Sequence, residues 1–500
     1  MASLANQRSY IMIALLLILV PLLSGLATFL IKKGDAARTW SLFSAIVTFI
    51  VAILGVSVFN SPAHITFTAD WMGNLGSSFS IKADAMGMML CMLTAISYPV
   101  IFVATWNASY SKPHNFFGLM LLAQAGLMGV FLAMDGLLFY FFWELALIPV
   151  YFLCSQWGGA RRIPVTFKFF VYTFLGSLLM LVGLIYIWSK TGSFALDEFY
   201  AAGIELKEQL WLFWLLFAAF AVKMPVFPFH TWQPDTYEQS PTAVTMVLSS
   251  IMVKMGVLGL LRWLLPVLPL GSHVLGDNPS TLAVIGIVYA SIIAFRQNDM
   301  KRLVAYMSIA HVGLMCLAVF AEHRSAMQGV MIQMFSHGIN ILGMWIVVEI
   351  IERKFGTRKM SELGGIAQKA PVLAIFFFII AFANFGLPLT NAFVGEFLML
   401  NGILNSNITA YGVIYAVTAA LAVIFSAVYI LRMARKVFLG NTNELTEKGT
   451  DIVFHEKAAL GIVVAAILIV GVYPQPFLDM MSGISESILK SADAIHLLNK

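Results

Sequence analysis

Four charged side chains lie inside otherwise apolar segments. Glu144 stands in Phe-Trp-Glu-Leu, Lys223 in Ala-Val-Lys-Met-Pro, Lys254 in a long apolar run, and Glu396 in Phe-Val-Gly-Glu-Phe. A charge at the centre of a bilayer costs about 2.5–3.5 kcal/mol, so such residues commonly face a cavity, pair with each other or carry ions. Two acids and two lysines in four separate segments therefore indicate a chain of protonatable groups. A buried ion pair that only fixes helix register is the alternative.

Three histidines, His230, His311 and His337, also lie in apolar segments. A lone buried histidine is commonly a hydrogen-bonded packing residue, but histidine is also the side chain that titrates nearest neutral pH. We expect His311 and His337 to join the acids and lysines, and His230, near a segment end, to do so less. These residues lack the helical spacing of metal ligands, and the 3 cysteines are too few and scattered for an iron–sulfur cluster, so the sequence predicts no metal site.

Four more charged residues lie close to the ends of apolar segments. Snorkelling to the membrane interface explains Lys168 and Arg262, although Lys168 could alternatively supply a proton entrance. Asp84 and Asp135 stand at segment starts, where a carboxylate complements the positive end of a helix.

The elements that position these residues must be membrane helices. Hydrophobic residues make up 60% of the chain and charged residues 11%, against about 45–50% and 25% in a soluble domain. Because a spanning helix needs about 20 apolar residues, the chain is predicted to be an all-α polytopic membrane protein with fourteen transmembrane helices. The seventh, eighth and twelfth lie near 209–232, 240–265 and 370–403. The longest loops, near 60–84, 189–208 and 432–456, are too short to fold as a soluble domain.

Lysine and arginine set the orientation. With loops placed alternately on two sides, nineteen of these residues fall on one side and seven on the side that carries both termini. The positive-inside rule therefore predicts that both termini face away from the cytoplasm, which an even number of spans requires.

Two spans are predicted to break. Pro225 and Pro228 interrupt the seventh beside Lys223, and Gly386 and Pro388 interrupt the twelfth shortly before Glu396. The tripeptide Ala-Phe-Ala precedes both breaks, and the breaks are five spans apart. Because five is odd, two five-helix units of this kind have opposite orientations, which predicts an inverted repeat with ion binding at broken helices.

These spans predict four regions. Residues 1–114 hold helices 1–3, 115–265 the first inverted repeat with helices 4–8, and 266–431 the second repeat with helices 9–13. Residues 432–500 hold the last helix and an amphipathic tail.

Six stretches carry a resemblance to a known family. They are FFWELALIPVYFL (141–153), KFFVYT (168–173), AFAVKMPVFPFHTWQPDTYEQSPTAV (219–244), KMGVLGLLR (254–262), DMKRLVAYMSIAHVG (299–313) and NAFVGEF (391–397). In this order they resemble the M subunits of bacterial complex I, the proton-pumping NADH:quinone oxidoreductase, equivalent to mitochondrial NADH dehydrogenase subunit 4. A glutamate on the broken twelfth helix, here Glu396, is typical of M subunits, whereas related subunits generally carry lysine there.

The resemblance implies a role for each buried group. Glu144 and Lys223 would form the ion pair of a first half-channel, and Lys254 would connect it to a second. His311 and His337 would lead through the second half to Glu396, which releases or passes the proton. Movement of Glu144 away from Lys223 would remove the partner that keeps the lysine charged and so free a proton.

The resemblance also implies partners and a location. The chain would be one subunit of a translocase, without a redox centre of its own, in the bacterial inner (plasma) membrane. FMN, iron–sulfur clusters and quinone would lie in partner subunits, and adjacent antiporter-like subunits and membrane lipids would contact the chain, with no nucleic acid involved. A Mrp-type cation/proton antiporter subunit is the main alternative; a scaffold with merely paired charges and an organic-substrate transporter are weaker ones.

Overall fold

Helices provide nearly all of the regular structure, because backbone groups in lipid must satisfy their hydrogen bonds internally. The computed structural model describes residues 2–57 and 66–498, with side chains for 13–57 and 66–489. Within these residues 11 helices are long and apolar enough to cross a membrane, and shorter apolar helices account for the rest of the predicted set. The predicted fold class is confirmed.

The described chain divides into two compact units. The first unit comprises Met1–Lys223, Gln239–Val247 and Lys254–Ser272. Its long helices match the first six predicted spans and the start of the seventh: Ala2–Thr28, Gly34–Ser57, Ala85–Ala104, Pro113–Leu132, Gly136–Trp157, Arg162–Thr191 and Leu206–Lys223. A short helix, Leu196–Tyr200, precedes the last of these.

A β-hairpin occupies part of the segment predicted to be a loop. Strands Thr66–Met72 and Ser77–Lys82 pair antiparallel around a short turn. The hairpin is tied to the start of the fifth span, because the Ser77 hydroxyl and the Ser78 N–H donate to the Asp135 carboxylate at 2.8 and 3.0 Å. The segment near 60–84, predicted only as a loop too short to form a soluble domain, thus contains a hairpin over residues 66–82; residues 58–65 lie outside the described part of the chain.

The eighth span is not the continuous α-helix that its apolar run suggests. It is assembled from Thr242–Val247, a π-helical stretch Leu248–Met252, the short helix Lys254–Leu258, and a second π-helical stretch Gly259–Leu264. A short helix, Pro269–Leu275, follows the span.

Arg262 does not snorkel to the interface as predicted. Its side chain is only 3% exposed, and its guanidinium contacts both oxygens of Asp84 at 2.6 and 2.7 Å and the Phe131 carbonyl at 2.7 Å. Asp84 also caps the third span as predicted, by accepting from the Gly87 N–H at 2.7 Å. A buried guanidinium needs such a partner because its desolvation is otherwise uncompensated.

The second unit comprises Met224–Glu238, Leu248–Val253 and His273–Lys500. Its helices match the remaining predicted spans and the amphipathic tail: Trp232–Gln239, Asp277–Arg296, Met300–Val319, Arg324–Phe355, Ile366–Lys369, Pro371–Asn384, Asn391–Leu404, Gly412–Val437, Phe454–Val472 and Gln475–Leu498. The seventh and twelfth spans share one design, in which a helix ends, several residues in turns follow, and a second helix begins.

Candidate functional site

Glu144 lies midway along the helix Gly136–Trp157, and its side chain is partly buried. As predicted, Asp135 caps this helix: its carboxylate accepts from the N–H groups of Leu137 and Leu138, both at 3.0 Å. The position of Glu144 along the span is therefore fixed by the cap and, through the same carboxylate, by the hairpin.

Lys223 is the last residue of the helix Leu206–Lys223 and is 2% exposed. Its ammonium lies 5.4 Å from the centroid of the Trp143 ring, a cation–π contact. Among the described residues neither Nζ of Lys223 nor Oε1 of Glu144 has a hydrogen-bond partner, although the two side chains attract each other electrostatically. The predicted direct ion pair between them is therefore not formed here, and an indole face is the neighbour of the ammonium.

Lys254 begins the short helix between the two π-helical stretches and is fully buried. On either side of it the backbone bonds reach five residues back: the Val253 N–H donates to the Leu248 carbonyl at 3.3 Å, and the Leu265 N–H to the Leu260 carbonyl at 3.0 Å. Such π-helical turns are frequent at functional sites, and they have no simple sequence signature. The sequence predicted that Lys254 lies within the eighth span. It gave no sign of the irregular backbone around this residue.

The seventh span breaks where its prolines predict. The helix ends at Lys223, and Pro225 and Pro228 lie in the segment that leads to Trp232. His230 in this segment is 3% exposed, and its ring lies 5.2 Å from that of Tyr289. His230 thus has an aromatic neighbour, and its smaller part in proton transfer stays a prediction.

Two arginines of the second unit hold the helix that follows this break. Arg302 contacts Asp235 at 3.1 Å and Glu238 at 2.8 Å. Arg358 contacts Glu238 at 2.8 Å and Asp299 at 2.5 Å. The helix Trp232–Gln239 is thus anchored by a charge network that sequence analysis did not identify, because its members come from three separate segments.

His311, His337 and Glu396 come together in the second unit. Nδ1 of His311 lies 3.3 Å from Oε1 of Glu396, and the rings of His311 and His337 are 5.8 Å apart. All three residues are at most 7% exposed. The structure therefore brings three of the six predicted proton carriers into one buried cluster, in which a carboxylate oxygen and an imidazole nitrogen are neighbours.

Gly386 makes room for Glu396 in the broken twelfth span. Its φ of +66° is a left-handed conformation that side chains disfavour, and a Cβ added there would collide with Oε2 of Glu396. Pro388 follows in the segment between Asn384 and the second helix. Glycine and proline thus open the helix, as predicted, and the space at the glycine is taken by the carboxylate.

Side chains from the helix Arg324–Phe355 donate to backbone carbonyls on either side of the break. The Asn340 amide donates to the Ala383 carbonyl at 3.2 Å, and the Ser336 hydroxyl donates to the Asn391 carbonyl at 3.2 Å. Both come from the helix that carries His337. Sequence analysis missed these residues, although their polarity within an apolar run was the available signal. Among the described side chains, no group of three or more His, Cys, Asp or Glu is placed to hold a metal ion.

Comparisons with known proteins bear on the family and the fold. The family model described as "NADH:quinone oxidoreductase/Mrp antiporter, TM" matches residues 133–423. The NADH-quinone oxidoreductase subunit M of Rickettsia conorii is 35% identical over 94% of this chain and 97% of the relative. The F(420)H(2) dehydrogenase subunit M of Methanosarcina mazei is 34% identical over 96% of this chain and 98% of the relative.

Two solved structures share the fold. A chain of respiratory complex I from Thermus thermophilus is similar with a TM-score of 0.88 and 27% identity, over 96% of this chain and 99% of that chain. A chain of the Mrp complex from Dietzia sp. is similar in fold with a TM-score of 0.87 and 18% identity, over 97% of this chain and 99% of that chain.

Proposed function

The chain belongs to the NADH:quinone oxidoreductase/Mrp antiporter family of transmembrane subunits and is a subunit of a proton-translocating NADH-quinone oxidoreductase; we propose that six of its buried residues carry the protons. They are Glu144, Lys223, Lys254, His311, His337 and Glu396. The observation that carries this proposal is the distance of 3.3 Å between Nδ1 of His311 and Oε1 of Glu396, since it makes two protonatable side chains neighbours inside an apolar unit.

In the first unit, Glu144 and Lys223 act as the input. The Lys223 ammonium rests on the Trp143 ring rather than on a carboxylate. An indole face stabilises a cation less than an ionised carboxylate does in a desolvated site, so the charge of Lys223 depends on where Glu144 lies. Protonation of Glu144 removes its electrostatic support for the lysine and lets Lys223 pass a proton towards Lys254.

In the second unit, His311 and His337 lead to Glu396. A protonated Glu396 carboxyl can give its proton to Nδ1 of His311, which leaves a carboxylate beside an imidazolium, and the reverse transfer restores both neutral groups. The Glu396 carboxylate lies so close to Gly386 that a Cβ added there would collide with it. This close packing supports a fixed position of the carboxylate, which a short proton transfer requires.

The chemistry that drives these transfers belongs to partners. Other subunits of the oxidoreductase would hold FMN, iron–sulfur clusters and quinone, and neighbouring antiporter-like subunits would contact this chain. The chain is a membrane protein. The chain would lie in the bacterial inner membrane with both termini on the non-cytoplasmic side. The excess of lysine and arginine in the loops of the opposite side supports this orientation.

Lys254 offers the test of this function, because it is fully buried and connects the two halves of the proposed path. Inverted membrane vesicles with Lys254→Met would be assayed for NADH oxidation and lumen acidification. Both rates should fall about a hundredfold or more while the complex stays assembled on a native gel. Lys457→Met, a change at an exposed lysine, is the matched control and should leave both rates unchanged. Unchanged rates in Lys254→Met would overturn the proposal, and sodium-dependent proton exchange without NADH would favour an antiporter instead.

A further inference from the structure

The indole ring of Trp143 is packed among other aromatic rings in the first unit. It is 1% exposed, and its centroid lies 5.5 Å from that of Phe139 and 5.9 Å from that of Phe220. Phe139 in turn stacks on Trp263, with 4.7 Å between the two centroids. Among the described residues the indole N–H of Trp143 has no hydrogen-bond partner, so packing against these rings is what holds the indole in place.

The ammonium of Lys223 meets this ring. Phe220 and Lys223 lie one turn apart on the helix Leu206–Lys223, so the helix that packs Phe220 against the indole also brings the ammonium to it. Nζ lies 5.4 Å from the centroid of the Trp143 ring and has no hydrogen-bond partner among the described residues. Desolvation of an ammonium is costly, and the negative face of an indole offsets part of that cost.

Trp143 and Glu144 are neighbours in sequence and offer Lys223 two different partners. On the helix Gly136–Trp157, successive side chains point about 100° apart, so the buried indole and the partly buried carboxylate lie on adjoining faces. The stem of a lysine is flexible, and the ammonium is attracted both by the ring and by the carboxylate. The structure shows the ammonium on the ring.

We propose that the Trp143 ring is a second binding position for the Lys223 ammonium, and that Trp143 is thereby a positioning residue for proton transfer in the first unit. The inference rests on the proton path proposed above. In that path the ring holds the charged Nζ away from Glu144 until the proton passes on towards Lys254. The ring forms no bond to the proton. A weaker ring face would return the ammonium to Glu144, so that fewer protons move on.

The first test replaces Trp143, at this position alone and in the full complex, by tryptophans that carry one, two or three ring fluorines. Fluorine withdraws electron density from the ring face and weakens cation binding in steps, while the ring nearly keeps its shape. In inverted vesicles, NADH oxidation and acidification should both fall by roughly twofold for each fluorine. A ring that only fills space would give equal rates across the series.

The same series at Trp345 is the matched control. This ring is also fully buried, and its indole N–H also has no hydrogen-bond partner among the described residues. No lysine or arginine of the described chain lies over it. Fluorination of Trp345 should therefore leave both rates unchanged.

Two ordinary variants give an independent test. Trp143→Phe keeps a weaker ring face and Trp143→Leu keeps none, so the rates per assembled complex should fall more in Trp143→Leu. Equal losses in these two variants, or rates that do not follow the number of fluorines at Trp143, would overturn the inference. The proposed function has its own test, because it stands if Lys254→Met abolishes pumping, whatever the fluorine series shows.

Discussion

Nδ1 of His311 lies 3.3 Å from Oε1 of Glu396, and both side chains are more than nine-tenths buried. The two residues come from different helices, Met300–Val319 and Asn391–Leu404, which the break in the twelfth span allows to meet at this point. Because the two protonatable side chains lie this close, we expect the pair to act as one unit.

The single variants His311→Gln and Glu396→Gln should each reduce NADH-driven acidification strongly. The double variant should be no worse than the more damaging single variant, because residues that act as one unit are not additive. The exposed pair Lys190 and Glu208, 2.7 Å apart, gives the control: Lys190→Met and Glu208→Gln should leave pumping unchanged. Losses that multiply in the His311 and Glu396 double variant would show that the two act independently.

Gly386→Ala should damage pumping more than stability. The substitution forces alanine into a left-handed conformation, at a cost of about 1–2 kcal/mol, and pushes the new Cβ against the Glu396 carboxylate. Gly356→Ala is a close control, because Gly356 has a φ of +68° and no atom within reach of an added Cβ. Both variants should lower the thermal stability of the complex similarly, but only Gly386→Ala should lower acidification per assembled complex. Equal pumping in the two variants would contradict a fixed position for Glu396.

The buried pair of Arg262 and Asp84 should matter for stability. Asp84→Ala leaves a guanidinium that is 3% exposed without its carboxylate, which should cost about 3 kcal/mol and reduce the amount of assembled complex. Asp84→Asn combined with Arg262→Met keeps the helix cap and removes both charges, so it should recover much of the loss. The amount of complex on a native gel and its melting temperature measure both effects. A double variant as unstable as Asp84→Ala would argue against an unpaired charge as the cause.

The spans and their breaks could be predicted because they depend on local composition. Runs of about 20 apolar residues set the positions of the helices, and prolines beside Lys223 and Glu396 marked where two of them open. The six buried titratable residues stood out for the same reason, since a charged or imidazole side chain in an apolar run is visible without a structure.

What the sequence could not predict depends on partners distant along the chain. Arg262 was interpreted as a snorkelling residue because its partner Asp84 belongs to another span. The π-helical turns around Lys254 arise from packing, for which single residues give no signal. The division into inverted repeats at 115–265 and 266–431 stays a prediction.

Glu144→Gln tests the central claim, that protons pass through these buried residues, most directly. The change keeps the shape of a partly buried side chain and removes its ability to carry a proton. NADH oxidation and acidification would be recorded together in inverted vesicles, with Glu362→Gln, at an exposed residue that ends a short 3-10 helix, as the control. The account predicts that both rates collapse in Glu144→Gln while the complex stays assembled, and that the control keeps both. Full NADH oxidation and full acidification in Glu144→Gln would contradict it.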